Sequence, residues 1–212
     1  MNDENAVRAE ICQTGLSLHR RGFTVGSSGN ISAKLEDGWL ITPTDICLGS
    51  LTPDAIAKVN LNGEWISGAK PSKTLILHRA IYESNPAVTG IVHTHSTHLV
   101  AMTLGAVWQP DAILPPITPY QVMKVGRIPL IGYRRPGAPD VAALAADLAT
   151  TVKGIMLERL GPVVWGPSVT KAAEILEELE ETAKLWLMTN PKPQALNAAS
   201  LQELFETFDC RW

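Results

Sequence analysis

Two histidines separated by one residue are the side chains of this sequence best suited to bind a metal ion. His93 and His95 follow a short apolar run, and in an extended segment residues two apart project from the same side. Their imidazoles can therefore converge on one cation, at nitrogen–metal distances of about 2.0–2.1 Å for zinc. Four of the five histidines lie between residues 78 and 98, which favours a metal site. His98 comes too late for the same strand and is predicted to belong to the next helix.

Three short loops carry groups that can bind an anion: residues 26–30, 42–45 and 70–73. All three contain hydroxyl side chains, the first adds glycines and the third adds lysines. Glycine lets backbone N–H groups approach an anion closely. Ser72 or Lys73 is predicted to stand at a helix N-terminus, where the helix dipole and free N–H groups favour phosphate. Three such loops and a histidine pair in one small domain favour a ligand site.

Size and composition predict one compact soluble domain. The chain has 212 residues, of which 45% are hydrophobic and 18% charged, enough for a sizeable core. A net charge of −3 and scattered basic residues argue against binding to nucleic acid. The three cysteines are widely spaced and form no Cys-x-x-Cys pair, which is typical of reduced thiols in a cytoplasmic protein. No apolar run reaches the roughly 18–20 residues that span a bilayer, so we expect neither membrane insertion nor secretion.

The hydrophobic pattern predicts an α/β protein whose first third is mostly antiparallel sheet. Predicted helices cover residues 4–22, 72–84, 97–104, 139–150 and 168–188, with a short helix in the tail after residue 190. Predicted strands cover residues 31–35, 39–42, 57–61, 64–66, 88–92, 154–157 and 162–165, with one more inside 125–131. The histidine pair lies at the end of the strand 88–92. The glutamates between residues 174 and 181 are predicted to form a solvated face of the long helix.

These motifs together resemble the class II aldolase/adducin family, over about residues 6–188. The resemblance rests on the order and spacing of short segments at residues 29–32, 41–44, 70–72, 78–82, 92–95 and 161–164. Within the family, residues 70–73, 95–98 and 118–123 look most like the 3-oxo-tetronate 4-phosphate decarboxylase branch. Other members are L-fuculose-phosphate aldolase and L-ribulose-5-phosphate 4-epimerase.

The resemblance implies a three-layer α/β/α fold around a mainly antiparallel sheet, assembled as a homotetramer with active sites between subunits. We expect residues 1–190 to form this domain and the tail 191–212 to pack on the same or a neighbouring subunit. The resemblance also assigns roles to residues. The substrate phosphate would be bound by Gly29, Asn30, Thr44, Ser72 and Lys73. A divalent ion, zinc or manganese, would be bound by His93 and His95, and the catalytic candidates are Tyr120, as proton donor, and Lys73.

The chain departs from the family pattern at two positions. Thr74 stands where the family has a glutamate that acts as general acid/base, and a threonine hydroxyl cannot act as a base near neutral pH. Leu160 stands where the family has its third metal-binding histidine, and leucine cannot ligate. Catalytic zinc usually has three protein ligands, so Glu158, His98, substrate oxygens or a neighbouring subunit would have to complete the shell.

The function implied by the resemblance is decarboxylation of a 3-oxo-tetronate 4-phosphate to dihydroxyacetone phosphate and CO2. Loss of CO2 requires no base to remove a hydroxyl proton, whereas aldol cleavage does, so the departures favour a decarboxylase. A metal-poor variant, in which Lys73 or arginines stabilise the enolate, is one alternative. Two others are a phosphosugar aldolase or epimerase and a catalytically impaired family member with a binding or scaffold role. Under each of the enzyme hypotheses, the binding partner is its substrate, a small phosphorylated sugar or sugar acid.

Overall fold

One eight-stranded sheet forms the centre of the computed structural model, which describes residues 3–212. The strand order is β4-β3-β2-β1-β5-β8-β7-β6, and every neighbouring pair is antiparallel except β6 and β7, which are parallel. The strands are β1 Asn30–Leu35, β2 Gly38–Ile41, β3 Ala57–Asn60, β4 Trp65–Ser67, β5 Gly90–His93, β6 Leu130–Ile131, β7 Gly154–Leu157 and β8 Gly161–Gly166.

Helices cover both faces of this sheet. The α-helices of the described chain are α1 Glu4–Arg20, α2 Leu75–Ser84, α3 Thr97–Met102, α4 Asp140–Leu148, α5 Val169–Met188 and α6 Ala198–Thr207. One buried cluster joins α1, α3 and α5 to the sheet and includes Val92 and Val164. A second cluster joins α2 and α4 to the opposite face and includes Ile91 and Val163. Because successive strand residues alternate between these two clusters, the predicted three-layer α/β/α fold is confirmed.

Helix α2 begins three residues later than the pattern predicts, at Leu75 and not at residue 72. Residues 70–72 are held extended because Pro71 pairs with Pro43 as an isolated bridge. The backbone N–H of Ser72 donates to the carbonyl of Thr42, and that of Thr44 donates to the carbonyl of Lys70. Ser72 and Lys73 therefore lie in the loop before the helix, and this loop is joined to the loop that contains Thr44.

The prediction that the glutamates of α5 form a solvated face is wrong for one of them. Glu180 is only 8% exposed. Its two carboxylate oxygens accept hydrogen bonds from the backbone N–H groups of His98 and Leu99, and Oε1 also lies 2.8 Å from Nδ1 of His98. Glu180 thus caps the first turn of α3 and fixes His98 against α5.

No helix within residues 3–212 has the length and apolar character needed to cross a membrane.

The start of β8 lies directly against the segment that carries the two histidines. Gly161 has a φ of +141°, and a Cβ built on it would stand 2.0 Å from the carbonyl oxygen of Thr94 and 3.2 Å from Cα of His95. The backbone N–H of Thr94 also donates to the carbonyl of Pro162. Only glycine permits this approach, because any side chain would strike backbone atoms.

We predict that Gly161→Ala lowers the free energy of unfolding by about 3 kcal/mol or more, because it adds a backbone clash to a strained φ. Gly22→Ala is the matched control: Gly22 has a φ of +78° with nothing within 4 Å of a built Cβ. Only the left-handed penalty of about 1–2 kcal/mol applies there. Urea unfolding of both variants measures the difference, and equal losses would show that the contact with Thr94 has no energetic importance.

Candidate active site

A cavity of about 380 Å³ opens where the three predicted anion-binding loops meet the histidine pair. Residues 27–30, 43–45 and 72–74 form one part of its lining. His93, His95 and Leu160 also line it, together with residues 131–132 and 134–139, a segment that contains Arg134 and Arg135. The structure therefore gathers residues from six separate parts of the sequence around one space.

The five residues predicted to bind phosphate all line this cavity: Gly29, Asn30, Thr44, Ser72 and Lys73. Their loop is joined to the histidine strand, because Asn30 on β1 pairs with His93 on β5. Gly29 has a φ of +84°, and a Cβ there would stand 2.7 Å from the carbonyl oxygen of His93. The side chain of Asn30 is buried, and its Oδ1 has no partner among the described residues. A polar ligand in the cavity would satisfy such an atom.

The side chains of His93 and His95 lie side by side, with their ring centroids 5.1 Å apart and the ring planes at 61°. Nδ1 of His93 is 2.8 Å from the carbonyl oxygen of Pro162. A carbonyl only accepts, so Nδ1 carries the proton and Nε2 keeps its lone pair. Burial lowers the pKa of His93 to about 4, with a further contribution from His95 and an opposing one from Pro162. Burial also lowers the pKa of His95, so both imidazoles are neutral at pH 7.

The described residues do not complete a metal site around this pair. Within residues 3–212, no three side chains of the His, Cys, Asp or Glu type are grouped so that they could hold a metal ion. His98, a candidate third ligand, is bound to Glu180 and does not line the cavity. Glu158 lines the cavity, but its Oε2 accepts a hydrogen bond of 2.7 Å from the backbone N–H of Tyr133. The donor set of this chain is therefore two imidazoles, one fewer than a catalytic zinc site usually has.

Thr74 does not replace the glutamate of the family pattern. Its hydroxyl oxygen lies 2.8 Å from Oγ of Ser72, and the two hydroxyls are hydrogen-bonded to each other. With no carboxylate at this position, the cavity has no general base on the loop that precedes α2.

A buried chain of hydrogen bonds ends at the cavity and was not predicted as part of the site. Oη of Tyr82 lies 2.7 Å from Oγ of Ser32, which lies 2.7 Å from Nδ1 of His78. Burial raises the pKa of Tyr82, so its hydroxyl remains protonated. The hydroxyl of Ser32 thus bridges the phenol of Tyr82 and the imidazole of His78 and holds the ring of His78 in place. His78 and Tyr82 are four residues apart on α2, and this spacing was the available sequence signal.

His78 lines the cavity, is fully buried, and its Nε2 has no hydrogen-bond partner among the described residues. Burial, and to a lesser degree His93, lowers the pKa of His78 to about 3. The hydrogen bonds through Ser32 therefore hold a neutral imidazole against the cavity.

The low pKa of His78 predicts how stability depends on pH. Between the ordinary value of 6.5 and about 3, the unfolded chain binds a proton that the folded chain does not. The free energy of unfolding should thus fall by about 1.4 kcal/mol for each pH unit below 6.5 from this residue alone. Urea unfolding at pH 7, 6 and 5 should give a shallower slope for His78→Gln than for the wild type. Parallel slopes would contradict the assignment.

Tyr120 lies outside this cavity. Its side chain is 60% exposed and lines a separate groove with Arg21, Lys124 and glutamates of α5. The structure places every residue predicted to bind phosphate, and both histidines, around one cavity. Tyr120 of the same chain does not line that cavity.

The chain matches the sequence profile of the class II aldolase and adducin N-terminal domain over residues 9–187. It belongs to the class II aldolase/adducin family. It is 61% identical to the 3-oxo-tetronate 4-phosphate decarboxylase of Cupriavidus necator over the full length of both chains. It is 44% identical to the enzyme of the same name from Pectobacterium atrosepticum, over 96% of this chain and 94% of that one. The L-fuculose phosphate aldolase of Escherichia coli is 29% identical over 99% and 98%.

Solved structures agree with this assignment. A Klebsiella pneumoniae protein described as an aldolase, epimerase or decarboxylase superposes with a TM-score of 0.91 at 43% identity, over 96% of this chain and 100% of that one. An L-fuculose 1-phosphate aldolase superposes with a TM-score of 0.84 at 22% identity, over 96% of both chains, and supports the fold alone. The named decarboxylases and aldolases are both lyases that break carbon–carbon bonds, which supports an enzyme role.

Proposed function

We propose that this chain is a cytoplasmic decarboxylase of a 3-oxo-tetronate 4-phosphate, with dihydroxyacetone phosphate and CO2 as products. The observation that carries the proposal is the 61% identity to the Cupriavidus necator decarboxylase over the whole of both chains. The more distant aldolase shares 29%. The lining of the cavity supports the same substrate class, because donors suited to a phosphate lie in the same space as a pair of imidazoles.

The phosphate of the substrate would lie against the loops that contain Gly29, Asn30, Ser72 and Lys73. Glycine at position 29 exposes the backbone to an anion, Ser72 offers a hydroxyl, and Lys73 offers a positive charge. The carbon chain would then extend towards His93 and His95. This orientation places the two ends of a small phosphorylated acid against chemically different walls.

The reaction breaks the bond between the carboxylate carbon, C1, and C2. The electron pair moves into a C2–C3 double bond, the C3 carbonyl oxygen becomes an enediolate oxygen, and CO2 leaves. A proton delivered to C2 then gives dihydroxyacetone phosphate. No step removes a hydroxyl proton, so Thr74 does not block this reaction, whereas aldol cleavage requires such a base. The absence of a carboxylate at position 74 therefore favours decarboxylation over aldol cleavage.

Stabilising the enediolate oxygen is the main demand of this reaction, and donors fixed in a buried cavity do this best. Lys73, Arg134 and Arg135 are cationic groups of this chain that line the cavity and would donate to such an oxygen. His93 and His95 would be this chain's share of any zinc or manganese site, and no step above depends on the metal. In the proposed homotetramer, Tyr120 would act as proton donor only from a neighbouring subunit.

The decisive assay mixes the purified chain with a 3-oxo-tetronate 4-phosphate and follows CO2 and dihydroxyacetone phosphate together. We expect equimolar formation of both. The release of an aldehyde from L-fuculose 1-phosphate would instead indicate an aldolase. If neither product forms at high enzyme concentration while the phosphorylated compounds still raise the melting temperature, the chain is a binding protein and the proposal is wrong.

We also predict that Ser72→Ala raises KM by about tenfold or more with a smaller effect on kcat, because a hydrogen bond to a charged group contributes about 1.5–3 kcal/mol. Ser50→Ala is the matched control, since Ser50 is exposed and its hydroxyl donates only to the nearby carbonyl of Cys47. Steady-state kinetics measure both variants. Equal KM values would remove Ser72 from the phosphate site.

A further inference from the structure

We propose that the cavity contains a divalent-metal site reduced to two ligands, in which Leu160 occupies the third ligand position, so that the single change Leu160→His restores tight metal binding. The observation is the juxtaposition of Leu160 with His93 and His95 around one cavity. The inference concerns metal affinity and does not depend on the identity of the substrate.

The backbone fixes position 160 beside the histidine pair. Leu157 and Gly161 pair across β7 and β8, and the N–H of Leu160 donates to the carbonyl of Leu157 at 3.1 Å in the turn between them. Gly161, the next residue, lies against Thr94 and against Cα of His95. Position 160 therefore immediately precedes the residue of β8 that contacts the histidine segment.

Strand β8 also orients one of the two remaining ligands. The carbonyl of Pro162 accepts from Nδ1 of His93, an arrangement that holds the ring and leaves Nε2 as the donor atom for a metal. The same strand end thus positions His93 and carries position 160. This geometry suits a three-ligand site, yet the residue at the third position has no lone pair to offer.

The side chain of Leu160 packs against other apolar residues and cannot ligate a metal ion. It is half-buried and packs against the cluster of α2, α4 and the sheet. The carboxylate of Glu158, two residues earlier, is held by the N–H of Tyr133 at Oε2 and lies near Arg159 at Oε1, and it is not grouped with the two histidines as a metal site among the described residues. Two neutral imidazoles alone would hold zinc weakly and lose it on dialysis, because a catalytic site is normally closed by three protein ligands.

The test measures zinc bound to the tag-free full-length chain, with zinc as the sole ligand. Wild type, Leu160→His and the control Leu160→Gln, which has a polar side chain but a poor zinc ligand, are stripped with a chelator. They are then titrated with zinc in a calorimeter and dialysed for elemental analysis. We expect Leu160→His to retain about one zinc per chain and to bind it roughly 100-fold more tightly than the other two. Adding His95→Asn to Leu160→His should abolish the gain.

Two results would overturn the proposal. Wild-type chain that retains about one zinc after dialysis would show that other groups complete the site. A folded Leu160→His variant with no gain in affinity would show that position 160 does not face the pair. If Leu160→His does not fold, Leu160→Cys supplies a smaller ligand at the same position, and its cobalt absorption spectrum reports a thiolate bond. Because no substrate is used, failure here is distinct from failure of the decarboxylation assay.

Discussion

The close contact between the start of β8 and the end of β5 is the constraint on which the site depends. Gly161 and Pro162 meet Thr94 at a distance that excludes any side chain at position 161. This contact brings the turn after β7 to the histidine segment and provides the carbonyl that orients His93. Without it, residues separated by more than sixty positions in the sequence would not share a cavity.

The loops proposed to bind phosphate are also fixed relative to the end of β5. Asn30 pairs with His93 across β1 and β5, and Gly29 lies against the carbonyl of His93. The loop before α2 is in turn fixed by the bridge between Pro43 and Pro71. The separation between these loops and the histidine pair is thus set by the pairing of central strands, as the proposed orientation of the substrate requires.

This framework carries Thr74 and Leu160 at the two positions where the family resemblance implies a base and a metal ligand. Neither side chain can supply the implied group, but the loops and the imidazole pair line one cavity, and the chain is 61% identical to a named decarboxylase. Decarboxylation and aldol cleavage place different demands on the site, which explains how such a site can still catalyse one of them. Decarboxylation relies on stabilising negative charge on an oxygen, which hydrogen-bond donors and a lysine can provide, whereas aldol cleavage also requires proton removal.

The sequence by itself determined the layers and most of the elements, because alternation along strands and helical spacing are local patterns. It also predicted, from short motifs, a set of anion-binding loops and a histidine pair, which the structure places around one cavity. Tertiary structure decided the rest. Helix α2 starts late because Pro71 pairs with a distant loop, and Glu180 is buried because α3 packs on α5. His78 on α2 lines the site while bonded to Ser32 on β1, and Tyr120 lies apart. Each of these depends on contacts between distant segments, which residue types and local spacing do not encode.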